Sequence, residues 1–186
     1  LAAAMDVAGD PIRFRVTPTT GGNLDFGGGG PIALDTWYHA AMRASSVAQA
    51  DRTVFLNGTK YTTSGSNNRN ITNATMLVVG AQLSNGTYGV DLDGKIAHVA
   101  IWDAAISDAD ITALAAGDSP MSLATQPVAY WPLTDDLVDL VASLTLTNSG
   151  GATLDGADNP TVDDPPGNVS ETPGVEVYEW TTYAPT

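Results

Sequence analysis

The sequence predicts an all-β domain built from antiparallel sheets, with one short helix at about residues 107–116. Three observations predict it. Short apolar runs are punctuated throughout by Gly, Thr, Asn, Asp and Pro, the texture of antiparallel strands and turns. Asn57-Gly58 lies between TVFL and TKYTT, a strong hairpin signal because a type I′ turn needs positive φ at both positions. Finally, GKIAHVAIWDAAISDADITALAAG (94–117) runs a strand into a single capped helix that stops at a glycine.

The strands follow in order. IRFRVT (12–17) alternates, so Ile12, Phe14 and Val16 are expected to face a core while Arg13 and Arg15 face water. Leu24-Asp25-Phe26 follows a Gly-Gly-Asn turn and leads into GGGG (27–30). WYHAAMR (37–43), TVFL (53–56) and the return strand Thr59–Thr63 form the next group. MLVV (76–79) and a single long strand, Gly94–Trp102, come after them.

The helix has its own logic. Ser107 is placed to cap it, and Asp110 lies three residues on, where an acid complements the helix N-terminus. Ile111, Leu114 and Ala115 make one apolar stripe, and Gly117 suits a left-handed C-terminal turn. Two turns are too few to stand alone in water, so this helix must plug a flank of the sheets.

Beyond it, PVAYWPL (127–133) and SLTLT (143–147) are expected as strands. The division expected is a β-sandwich over residues 1–155, a Pro/Asp/Gly linker over 156–174, and a strand-like arm over 175–186. In that arm VEVYEWTTY alternates like a last strand.

Composition excludes several functions. Seven basic residues stand against 21 acidic ones, a net charge of −14, so phosphate backbones are repelled and nucleic-acid binding is not expected. Anionic membranes are disfavoured for the same reason, and no apolar run is long enough for insertion. Without cysteine there is no disulfide framework, thiol nucleophile or thiolate zinc site. LAAAMDVAGD lacks the basic and apolar regions of a signal peptide, which predicts a chain processed, excised or missing its beginning.

Residues from about 31 to 117 resemble the laminin-G-like branch of the concanavalin A-like lectin/glucanase superfamily. The resemblance rests on a Trp-x-His strand (LDTWYHAAMR), a glycine-tipped hairpin (VFLNGTKY), a strand ending in glycine (MLVVGAQ), and GKIAHVAIWDAAISDADITAL. PVAYWPLTDDLVDL is similar to the segment that often opens such domains, so 127–147 is a candidate to complete the sandwich. The resemblance implies a two-sheet jelly roll, usually non-catalytic, that binds glycans or protein surfaces through rim loops and in many members holds calcium there. Its members are modules of extracellular proteins and of phage or bacterial surfaces.

Candidate chemistry is weighed on that frame. A retaining glucanase needs two close carboxylates, and the only glutamates, Glu171, Glu176 and Glu179, lie in the tail. Asp91 and Asp93 are spaced for one strand face, but a single aspartate pair is common on exposed loops, so no catalytic residue is expected. His39 and His98 lack companions for a zinc site, and His39 is expected to pack beside Trp37. Calcium is the one candidate cofactor. It wants six to eight oxygens, and SNGTYGVDLDG (84–94) offers Asn85, Asp91 and Asp93, with Asp25 and Asp35 as further candidates. Trp37, Trp102 and Trp131 are expected in the core, leaving Tyr38, Tyr61 and Tyr88 as the better exposed aromatics for a sugar face.

Five Asn-x-Ser/Thr acceptors, at Asn57, Asn70, Asn73, Asn85 and Asn168, would mark glycosylated surface loops in a eukaryotic secreted protein, but chance explains most of them in so Asn- and Thr-rich a chain, and Asn57 and Asn85 serve turns. The arm carries a further expectation. Val175, Val177, Tyr178 and Trp180 are placed to add a strand to a neighbour's sheet edge, with pairing inside its own chain as the alternative. The functional expectation is a non-enzymatic structural or adhesive module on a virion surface, such as a phage capsid decoration or tail protein, or in another extracellular assembly. Its partners would be other subunits of that assembly, copies of itself or virion proteins. The alternatives are a glycan-binding lectin module of a secreted protein that meets cell-surface glycans, and a glycoside hydrolase.

Overall fold

The structure is a computed structural model, and it describes residues 2–4, 13–16, 24–27, 33, 36–45, 51–62, 77–84, 87–89, 92, 94–149, 151–154, 160, 162 and 182–185. Every strand pair among them is antiparallel. A three-stranded sheet joins β1 (Ala2–Ala4), β2 (Arg13–Val16) and β3 (Leu24–Gly27) in that order. A five-stranded sheet contains β4 (Tyr38–Ala44), β5 (Arg52–Leu56) and β6 (Thr59–Thr62). β7 (Gln82–Ser84) and β8 (Thr87–Gly89) make a separate hairpin. β9 (Gly94–Ala97) belongs to the five-stranded sheet, while β10 (Val99–Ile101) pairs with β11 (Ala129–Trp131). The helix α1 spans Asp108–Ala116, and β12 (Thr182–Pro185) completes the large sheet, whose order is β6-β5-β4-β12-β9. Antiparallel sheets with one helix are consistent with a two-layer sandwich.

The hairpin forms as its sequence dictates. Asn57 and Gly58 have φ of 47° and 74°, both left-handed, and Leu56 pairs with Thr59 directly across the turn. All five residues of β5 are buried, which is why this strand reads as an apolar run rather than an alternation. Phe55 shares a sheet face with its cross-strand partner Ala41, and both join the cluster of Ile106, Ile111, Leu114, Leu123 and Val162. Ile111 and Leu114 thus seal α1 onto the sheet, each burial contributing about 1.5–3 kcal/mol.

The helix ends match their sequence signals. Ser107 Oγ accepts from the Asp110 backbone N–H at 3.0 Å, and the Asp110 carboxylate accepts from Ser107 N at 3.0 Å, a reciprocal capping box. Gly117, at φ 111°, closes the other end, and the backbone N–H of Asp118 reaches the carbonyl of Ala113. Asp108 is tied to the sheet by Lys60 at 2.9 Å and by Arg43. Those two cations, through hydrogen bonds to its carboxylate, hold its carboxyl below the usual aspartate range. The Arg43 guanidinium also lies 5.2 Å from the centre of the Phe55 ring and donates to the carbonyl of Ile106 at 2.8 Å.

Three expected strands change. Residues 77–81, within and just after the expected strand MLVV, carry no strand, and β7 and β8 follow instead. The single strand Gly94–Trp102 is two, because His98 adopts φ 58° and breaks the ladder. Instead of the strand SLTLT there is one isolated bridge, Val138 to Thr145. Of the expected arm strand VEVYEWTTY (175–183), residues 175–181 lie outside the described residues, while Thr182 and Tyr183 belong to β12. Of the expected core tryptophans, Trp131 is buried, while Trp37 and Trp102 are half-buried, Trp102 Nε1 donating to the Thr125 carbonyl at 2.9 Å.

Candidate functional site

Three features stand out at the junctions between these elements. The first is the seam at His98. β9 lies in the five-stranded sheet and β10 pairs elsewhere, so the chain changes sheets at this one left-handed residue. Its backbone N–H is not lost, because it donates to the Pro132 carbonyl at 3.0 Å. The ring is fully buried, with Nδ1 3.0 Å from the Tyr130 hydroxyl and the two rings stacked at 6.3 Å. Burial pushes the His98 pKa down to about 3, against a smaller opposing pull from the Pro160 carbonyl. That carbonyl does not reach hydrogen-bond geometry with Nε2, which has no such partner. His39 is likewise buried and pushed to about 3 by desolvation, so both rings are neutral. The His39 backbone N–H donates to Asn57 Oδ1 at 2.9 Å.

The second feature is the loop after β11. Asp139 is 1% exposed, yet its carboxylate accepts from the backbone N–H groups of Tyr130, Val141 (3.0 Å) and Ala142 (2.6 Å). Burial alone would raise its pKa, but those donors, with Leu144, outweigh it and hold the carboxyl below the usual range. The carboxylate therefore organises a tight turn closed by Asp139 N to the Leu144 carbonyl at 2.8 Å. That turn displays Leu140, Val141 and Leu144 to solvent, at 54%, 41% and 54% exposure. Sequence reasoning missed this turn, although an Asp followed by backbone donors two and three residues on is the signal of an Asx turn.

The third feature is the seat of β12. Thr182 pairs with Ala97 on one side and His39 on the other, and Tyr183 pairs with Ile96 and Tyr38. The end of the chain therefore fills the sheet between β4 and β9.

The candidate calcium ligands Asn85, Asp91 and Asp93 lie outside the described residues, as does Asp35, while Asp25 sits on β3 opposite Arg15. Among the described residues no three His, Cys, Asp or Glu side chains come together to hold a metal. The arm residues Val175, Val177, Tyr178 and Trp180 also lie outside the described residues. Tyr38 and Tyr61 are half-buried, the Tyr38 hydroxyl accepting from Ala33 N at 2.9 Å.

Antiparallel sheets, a glycine-tipped hairpin and one capped helix sealing a flank define the class as an all-β domain of sandwich type. The family comparison makes this specific: residues 3–112 match the profile of the concanavalin A-like lectin/glucanases superfamily, in its laminin-G type. The chain belongs to that superfamily. The match begins well before Pro31, where the motifs first become legible, and so takes in β2, β3 and most of β1. No curated protein and no solved structure matches the chain. Membership of this superfamily points to a carbohydrate-binding or adhesive module.

Proposed function

We propose that the chain is a non-enzymatic surface module, structural or adhesive, that works in a virion or another extracellular assembly and is built as a two-sheet jelly roll. The observation that carries the reading is the superfamily match over residues 3–112, which brings an adhesive or glycan-binding role with it. The use the fold makes of its perturbed titratable groups agrees with it. Asp108 ties helix to sheet, Asp139 organises a turn, and His39 and His98 are packed neutral. Each of the four serves the scaffold. The strongly acidic composition suits an extracellular setting. Its partners are other subunits of the same assembly, with calcium at Asn85, Asp91 and Asp93 as the proposed cofactor.

The test is quantitative mass spectrometry of the extracellular particles of the source. A fixed number of copies per particle supports the reading, and absence from the particles overturns it. The superfamily's lectin members support a second reading, a glycan-binding module. That reading predicts saturable binding on a glycan array, abolished by chelation and weakened by Asp91→Asn or Asp93→Asn. Release of reducing sugar from a bound glycan would instead support a hydrolase.

A further inference from the structure

The tip of the β5–β6 hairpin carries a dipeptide with chemistry of its own. Asn57 is exposed and is followed by Gly58. Among the described residues it is the one asparagine with glycine after it, since Asn148 precedes Ser149. Glycine has no Cβ to crowd its backbone nitrogen, so that nitrogen can attack the side-chain carbonyl carbon of the asparagine before it. The N–Cγ bond forms as the Cγ–Nδ2 bond breaks, the glycine N–H proton passes to the leaving group, and ammonia departs. Water then opens the succinimide ring that remains. Opening at the side-chain carbonyl gives aspartate, and opening at the backbone carbonyl gives isoaspartate, whose main chain runs through Cβ. The net change turns an amide and a water into a carboxylate and an ammonium ion.

The folded hairpin opposes this chemistry. With φ of 47° at Asn57 and 74° at Gly58, the type I′ turn sets the Gly58 nitrogen across the Cα–C bond from the Asn57 Cβ. Ring closure needs rotation about that bond, and two contacts resist it. Asn57 N donates to the His39 carbonyl at 2.8 Å while His39 N donates to Asn57 Oδ1 at 2.9 Å, so β4 grips both the main chain and the side chain. On its other side the tip lies against α1. A Cβ built on Gly58 would stand 3.3 Å from Ala115 Cβ and 3.4 Å from Thr112 Cα.

We propose that Asn57 is a deamidation site clamped between β4 and α1, which reacts only when the hairpin tip lifts away from both. The clamp sets the rate, and the product sets the consequence. Isoaspartate adds a backbone atom to a two-residue loop that already touches Thr112 and Ala115, so a tip that has reacted does not reseat. Aspartate keeps an acceptor for His39 N, but it places a negative charge beside the last turn of α1, where the helix carbonyls are negative and no basic residue offsets them. Both products favour the lifted tip. The change runs one way and is timed by how often the hairpin opens.

The test ages the full-length protein at mildly alkaline pH, in buffer and in concentrated urea, and follows the peptide containing Asn57 by mass spectrometry for replacement of NH2 by OH. The rate in buffer should lie at least about tenfold below the rate in urea, because only the open fraction reacts. Ala115→Gly removes the side chain under the tip and weakens the helix, so it should raise the rate in buffer about fivefold and leave the rate in urea unchanged. Brief trypsin treatment of the aged, still folded protein should cut after the exposed Lys60 in modified chains ahead of unmodified ones. Equal wild-type rates in buffer and urea, no reaction at Asn57 in urea, no acceleration in Ala115→Gly, or equal cleavage of modified and unmodified chains would each overturn the proposal.

Discussion

Lowering the pH from 7 to 5 should destabilise this domain well before its carboxylates protonate. His39 and His98 carry pKa values pushed from an ordinary 6.5 down to about 3 by burial. Between those two values the unfolded chain binds protons that the folded chain refuses, so stability falls as pH falls, by about 1.4 kcal/mol per pH unit and per histidine. Integrated from pH 7 to pH 5, each ring costs about 2 kcal/mol, and the pair about 4 kcal/mol, a large share of a typical folding free energy. Asp108 and Asp139 have depressed values, so their stabilisation is present above the ordinary aspartate pKa and is lost only on further acidification. The window from 7 to 5 therefore isolates the histidines. Urea unfolding followed by tryptophan fluorescence at the two pH values measures the loss. A difference below about 1 kcal/mol, or an NMR titration placing either ring near pH 6.5, would refute the reasoning.

Substitutions at three sites test separate parts of the fold. Ser107→Ala removes the capping box and should cost about 1 kcal/mol, lowering the thermal midpoint by a few degrees in differential scanning calorimetry. Gly58→Ala should cost about 1–2 kcal/mol by chemical denaturation, because φ is +74° and the new Cβ would lie 3.3 Å from the Ala115 side chain of α1. Asp139→Ala leaves the backbone donors of Tyr130, Val141 and Ala142 without their acceptor and should cost about 3 kcal/mol or more. Asp139→Asn should fall between the two. Its carbonyl can serve Tyr130 and Val141 where Oδ1 stands, but its amide then faces the Ala142 N–H.

The parts legible in the sequence were those governed by local chemistry. Asn57-Gly58 specifies its own turn, and Ser107, Asp110 and Gly117 specify both ends of α1, so hairpin and helix fall where their residues say. The strand at 38–44 and the buried one at 52–56 follow from apolar runs. What escaped were features set by distant contacts. GKIAHVAI carries no breaker, yet His98 turns left-handed because Pro132 and Tyr130 receive its backbone and ring at the seam between sheets. SLTLT alternates well, but the preceding turn is organised by the Asp139 carboxylate, and only Thr145 finds a bridge. MLVV has strand composition, and residues 77–81 carry no ladder. Leu140, Val141 and Leu144 are displayed to solvent, a consequence of a turn that the apolar pattern alone does not reveal.

The most direct measurement is amide hydrogen exchange on the full-length chain, resolved at Thr182, Tyr183 and Ala184. Those amides should exchange on the slow timescale of Lys95, Ile96 and Ala97 in β9, because β12 is a strand inside the sheet. Exchange at the rate of an unstructured peptide, with β9 still protected, would contradict the closed five-stranded sheet.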